Sequence, residues 1–233
     1  MTKSLIFAAT LLAFASNHLL ANESTLDEMT VVMKSSSEPG EAGELLVFVG
    51  EQLAYEPKVI ECGNCMVFDS WYTARYRVVH RIHGVPPGDE LTFSVAEHAT
   101  RNPFGYSRFA LVFVERFEDG YSLVKYTQKP VYPTSDGDFA TCGPYWRPDN
   151  VDAPLNPGPA LREMAFSPRL VVDDARRLSD FGRGQAHDPR WHAIDGDEVV
   201  CRRGVPLQEL VRVMVRDSEM LSAALPQFAG DGR

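Results

Sequence analysis

The chain lacks the short motifs that mark most hydrolases and nucleotide-dependent enzymes. It has no Gly-x-Ser-x-Gly elbow, no His-Glu-x-x-His pair and no glycine-rich phosphate loop. Net positive charge is also missing: 23 Lys and Arg face 32 Asp and Glu, for a net charge of −9. Binding a polyanion needs clustered cations, so nucleic acid and anionic lipid are disfavoured as partners. No apolar run approaches the roughly 20 residues of a membrane span, so no stable membrane insertion is expected. Cysteine is sparse, at four residues in 233, and 44% of the chain is hydrophobic. The fold must therefore rest on an ordinary core rather than on dense disulfides.

The longest apolar run is the 11 residues from Leu5 to Ala15. One lysine, Lys3, precedes it and small residues follow, which is the three-part pattern of a secretory signal peptide over residues 1–21. Cleavage after Ala21 is expected, because Asn22-Glu23-Ser24 begins a polar stretch; Ala15 is the alternative point. The mature protein is thus expected to be exported, to the periplasm or the extracellular space, with a net charge of −10 once Lys3 is removed. Residues 22–43 read as a flexible acidic leader, marked by Ser35-Ser36-Ser37 and Pro39-Gly40.

Residues 44–127 are rich in strand patterns. Glu44 to Gly50 is a compact apolar run, and Trp71 to Ile82 alternates with period two. Tyr72, Ala74, Tyr76, Val78, His80 and Ile82 share one face; Thr73, Arg75, Arg77, Val79 and Arg81 share the other. Leu91–Val95, Phe109–Val114 and Tyr121–Tyr126 complete five strands, with Glu118-Asp119-Gly120 as a hairpin signal. Phe109–Val114 is dense enough in apolar residues to be buried on both faces. This spacing predicts a mainly β fold: a small five-stranded OB-like antiparallel barrel. Residues 128–233 form a proline-rich extension, with prolines at 130, 133, 144, 148, 154, 157, 159 and 168. Residues 128–170 are expected to wrap over the barrel, and Pro206 to Leu225 to form a C-terminal α-helix.

The strand LVFVGE, followed by FDSWYTARYRVVHRIHG and an Asp-x-Leu-x-Phe-x-Val strand, resembles exported OB-like barrels of the netrin and tissue-inhibitor-of-metalloproteinase type. It is similar as well to bacterial secreted proteins of unknown function with such a barrel. The matching positions are Tyr72, Ala74, Tyr76, Val78 and Gly84, and the resemblance covers residues 44–127. It implies the barrel fold. The metalloproteinase inhibitors reach their target's zinc with an N-terminal cysteine; the first cysteine here is Cys62, so that mechanism is not implied.

Cys62, Cys65, Cys142 and Cys201 are an even set in an exported chain, which points to disulfides. Of three connectivities, Cys62–Cys65 with Cys142–Cys201 is expected; the alternatives tie the barrel loop to the C-terminal part. A redox-active reading of Cys62-Gly-Asn-Cys65 would need a helix N-terminus to lower the thiol pKa, and no helical pattern follows it. A four-cysteine zinc site would need a second close pair. His80 is expected to be packed or hydrogen-bonded. His187, Asp188 and His192 have metal-ligating chemistry, but their irregular spacing predicts a solvated loop. No catalytic residue, metal or cofactor is assigned. Arg75, Arg77 and Arg81 on the wet strand face and Trp71 beside it are the candidate partner-binding residues; the alternative for the arginines is pairing with the chain's own acids, such as Glu90 or Glu97. The reading is an exported, non-enzymatic binding module of the cell envelope or extracellular space that recognises a protein partner, of inhibitor or immunity type. The alternative is a thiol–disulfide protein using Cys62 and Cys65.

Overall fold

The structure is a computed structural model and describes residues 44–60, 68–98, 107–145, 160–175 and 188–229. The expected signal peptide, the leader and the Cys62–Cys65 pair lie outside these residues. Five strands close into a barrel: β1 (Leu45–Pro57), β2 (Ser70–His83), β3 (Glu90–Glu97), β4 (Phe109–Phe117) and β5 (Gly120–Leu123). Their order is β1-β2-β3-β5-β4, and β4 pairs back onto β1. The ladders are antiparallel except for the β3/β5 contact, Ser94 opposite Ser122, which is parallel and makes the barrel mixed. The five strands foreseen in the sequence are the five that close it.

Period two decides which residues go where. Leu46 and Phe48 on β1, with Ala74, Tyr76, Leu91, Phe93, Val95, Ala110, Val112 and Val114, fill the barrel interior. Their neighbours Leu45, Val47, Val49, Leu111 and Phe113 point outward into a second core. That core is closed by α1 (Leu207–Arg216), α2 (Glu219–Ala224) and α3 (Pro226–Ala229), through Leu207, Leu210, Val211, Met214, Leu221 and Leu225. Each of these side chains contributes about 1.5–3 kcal/mol by leaving water. The outer face of β1 and β4 is therefore buried by the extension.

The single helix expected over Pro206–Leu225 is broken. Asp217 ends α1, and Ser218 turns extended so that its side chain accepts the N–H of Leu221 at 3.3 Å. A serine hydroxyl satisfies a helix start better than it serves a helix interior, so the apolar period continues across a break in the backbone. The helical pattern does stop before Pro226, with α2 ending at Ala224, and Pro226 opens the short α3.

The wrap begins with β6 (Lys129–Pro130) on the edge of β4, then the hairpin of β7 (Tyr132–Pro133) and β8 (Phe139–Ala140). β9 (Arg162–Glu163) pairs with β13 (Arg203–Gly204). A three-stranded sheet of β10 (Val171–Asp174), β12 (Glu198–Cys201) and β11 (His192–Asp195), in that order, was not anticipated from the sequence. Cys142 and Cys201 are bonded, Sγ to Sγ at 2.03 Å, tying the wrap to the end of β12.

Two glycines are required by close backbone approach. Gly84 ends β2 with φ +72°, and a Cβ there would stand 2.8 Å from the carbonyl oxygen of Leu45. Gly204 lies against the wrap, where a Cβ would fall on the carbonyl oxygen of Thr141. Gly204→Ala is expected to destabilise the protein by at least about 1–3 kcal/mol, measured by denaturant unfolding.

A buried polar chain crosses the barrel core. Gln128 Nε2 donates to the Tyr76 hydroxyl at 2.8 Å, and that hydroxyl donates to Gln52 Oε1 at 2.9 Å. Burial pushes the Tyr76 phenol well above its ordinary pKa, against the Gln128 bond, which lowers it. Tyr76→Phe removes both bonds and takes the acceptor from the buried Gln128 Nε2; a loss of about 1–3 kcal/mol in unfolding free energy is expected.

Candidate functional site

β1 pairs with β4 only over residues 45–51, but with β2 as far as Pro57. The β1–β2 ribbon therefore runs past the point where β4 stops. Beyond it stand Val59, 85% exposed, Ile60, 37%, and, at the entry to β2, Phe68, 61%. An open groove of about 290 Å³ lies there, lined by Pro57, Lys58, Ile60, Asp69, Trp71 and Tyr72, among others. Trp71 pairs with Ala96 across the β2–β3 ladder, and its carbonyl accepts the Lys58 N–H at 2.8 Å. The Tyr72 ring rests on Tyr55, with centroids 4.9 Å apart.

A charge network holds this end together. Asp69 accepts from Lys125 Nζ at 2.7 Å and meets His98 Nδ1 at 2.6 Å. Burial raises the Asp69 carboxyl, and the bonds from Lys125 and His98 outweigh it, so it sits below the usual carboxylate range. One carboxylate thus ties the start of β2 to the end of β3 and to the segment after β5. Glu97, opposite Ser70 in the β2–β3 register, is buried. Burial pushes its carboxyl up, and the Lys125 and Lys129 ammoniums offset that in part.

Arg75, Arg77 and Arg81 are each about half exposed and each beside an acid of this chain. Arg75 and Arg77 share the outer face of β2, whereas the register shift at Val79 sets Arg81, opposite Phe48, on the other face, so the three expected to line one face do not. Arg75 lies 3.8 Å from Glu90, Arg77 2.9 Å from Glu51 and Arg81 3.6 Å from Asp89. Glu51 also holds Arg108, at 2.9 Å. Exposed pairs of this kind are worth about 0–1 kcal/mol and exchange partners readily. The three arginines are therefore compensated, while Trp71 opens onto the groove. Glu97, named in the sequence as a partner for them, is turned into the barrel end instead.

His80 is exposed rather than packed. Its ring meets Phe139 edge-on with centroids 6.4 Å apart. The cause is a bulge: Val49 pairs with His80 and Gly50 with Val78, so Val79 is extra and the alternation is reset. His187 lies outside the described residues. His192 is not in an unstructured loop; it lies on β11, where its ring and the sulfurs of Cys142 and Cys201 place their ligand atoms within 4.8 Å of one another. These three could hold a soft metal only as free thiolates, which the Cys142–Cys201 bond excludes while it is intact. Phe68, Val59 and Ile60 were missed in the sequence. Phe68 stands just ahead of the predicted Trp71–Ile82 strand, whereas Val59 and Ile60 lie between two predicted strands, where no local pattern marks them.

A search of protein families, of curated proteins and of solved structures finds no match to this chain. The geometry itself defines a mainly β protein with a closed five-stranded mixed barrel and a short C-terminal helical region. Among the described residues, no helix is long and apolar enough to cross a membrane.

Glu97 yields a pH prediction with a definite sign. A carboxyl raised in the folded state opposes folding when ionised; the cost is full above the folded pKa and vanishes below the unfolded value of about 4.3. Glu97→Gln should raise Tm at pH 7, and the difference should shrink as pH falls toward about 4. An equal or lower Tm at pH 7 would contradict this assignment.

Proposed function

We propose that this protein is an exported, non-enzymatic binding module of the cell envelope or extracellular space, itself of inhibitor or immunity type, that takes a protein partner in the Trp71 groove. The observation that carries the reading is the concentration of exposed apolar side chains at one end of the β1–β2 ribbon: Val59 at 85%, Phe68 at 61% and Ile60 at 37%. Scattered exposed hydrophobics are ordinary, but a group beside a groove with a tryptophan wall suits a buried contact patch. Lys58 and Asp69 at the same groove supply the polar rim that such contacts carry. Arg75 and Arg77, compensated by this chain's own acids, are a second surface, able to re-pair with a partner's acids and so to orient an encounter. Export rests on the signal-like N-terminus. The thiol–disulfide alternative through Cys62 and Cys65 falls on residues outside the described structure, and no observation favours it.

A photo-crosslinking amino acid at position 68, in protein added to an envelope extract, should trap a discrete partner that the same probe at Val172, on β10, does not trap. Trp71→Ala should weaken the trapped interaction by about tenfold or more. Crosslinks of equal yield from both positions, or full binding by Trp71→Ala, would count against the groove.

A further inference from the structure

Cys201 closes β12, and the residue directly opposite it on β11 is His192. Opposed residues in an antiparallel pair present their side chains on one face. Cys142 reaches that face from the wrap; its Sγ bonds Cys201 and lies 3.5 Å from His192 Nε2. The other ring nitrogen, Nδ1, accepts the backbone N–H of Asp188 at 3.2 Å. A ring nitrogen that accepts carries no proton, so the neutral imidazole keeps its proton on Nε2, aimed at the Cys142 sulfur. The same tautomer argues against a metal: ligation through Nε2 would put a proton on Nδ1, facing the Asp188 N–H. Asp188 is fixed in turn by Arg190, whose guanidinium grips both carboxylate oxygens at 2.6–3.0 Å.

The two sulfurs differ. Cys142 is half-buried beside an N–H donor, whereas Cys201 is 6% exposed with its Sγ 3.6 Å from the Arg203 carbonyl oxygen. A donor favours a thiolate, and a carbonyl acceptor favours a protonated thiol. We propose that Cys142–Cys201 is a thiol-exchange site in which Cys142 is the sulfur attacked by an external dithiol and His192 stabilises the Cys142 thiolate. One thiolate of the dithiol attacks Cys142 Sγ, the Sγ–Sγ bond breaks, and Cys201 leaves and takes a proton from water. The second thiolate then attacks the dithiol's own sulfur in the mixed disulfide, and Cys142 leaves as a thiolate under the Nε2–H of His192. The dithiol becomes a disulfide and the protein pair gains two electrons. This site shares no residue with the Trp71 groove.

The test uses the full chain, equilibrated with dithiothreitol under native conditions, then alkylated and read peptide by peptide by mass spectrometry. The expected result is reduction of Cys142–Cys201 with the circular dichroism spectrum of the fold retained, and alkylation of Cys142 about tenfold or more faster than of Cys201. His192→Phe should slow Cys142 alkylation about tenfold, and His192→Gln, which keeps an N–H donor, should recover part of the rate. The wild-type comparison of the two cysteines does not depend on either variant folding. A bridge that yields only when the fold melts, or a Cys142 no faster than Cys201, would overturn the proposal.

Discussion

The first strand carries more of this structure than any other element, because it is used on both edges and on both faces. Its edges pair with β2 and with β4, which closes the barrel. Leu46 and Phe48 face the barrel interior, while Leu45, Val47 and Val49 face the helices. An apolar run without alternation is what such a strand requires, since neither face meets water. Barrel closure and docking of the C-terminal helices are thereby coupled. Without the extension, the outer face of β1 and β4 would expose Leu45, Val47, Val49, Leu111 and Phe113 as one apolar surface. The extension is part of what makes the barrel stable in water.

That coupling also explains why the candidate site lies where it does. Positions 45–51 of β1 are committed to two ladders and two cores. Beyond them the ribbon has β2 as its partner, and its end is free of the demand for a buried outer face. Side chains such as Val59 and Phe68 contribute little to the core from there, being mostly exposed. The polar clamp of Asp69, Lys125 and His98 steadies this end by hydrogen bonds rather than by apolar packing. A rigid scaffold that ends in a lightly committed, apolar-decorated tip is the usual arrangement of a recognition surface.

How legible all this was in the sequence depended on length and regularity. The five barrel strands were readable because each carries a run or an alternation several residues long, and the long β2 pattern placed Tyr76 inside and Arg75 and Arg77 outside. Its C-terminal end was misread at His80, because a bulge costs one residue and leaves no mark in the hydrophobic pattern. The helix break at Ser218 was masked for the opposite reason: the apolar period runs through it, and the one clue was a serine ahead of an acidic residue. The β10–β12–β11 sheet escaped because its strands are four residues each, on or below the length at which alternation can be told from chance. The Trp71 groove was half visible: the tryptophan stood out, but the exposure of its neighbours follows from where β4 ends, which no local pattern records.

The disulfide shows how tertiary register adds chemistry to spacing. Four cysteines allow three pairings, and a separation of 59 residues says nothing about what else stands nearby. The β11–β12 register brings His192 to the sulfurs, and the Asp188 amide sets which ring nitrogen faces them. A loop of this length closed by a disulfide gains about 4 kcal/mol on the chain-entropy model, so the bridge is structural whatever else it does. Structure and exchange need not conflict here, because backbone bonds flank the sulfurs on both sides. Thr141 N–H donates to the Val205 carbonyl at 3.0 Å, and Gly143 N–H to the Arg203 carbonyl at 2.9 Å. The Val205 N–H returns to Thr141 Oγ1 at 3.0 Å. Residues 141–143 are thus stitched to 203–205 by backbone and hydroxyl contacts that do not involve the sulfurs, which is the physical basis for expecting the wrap to keep its place when the bridge opens.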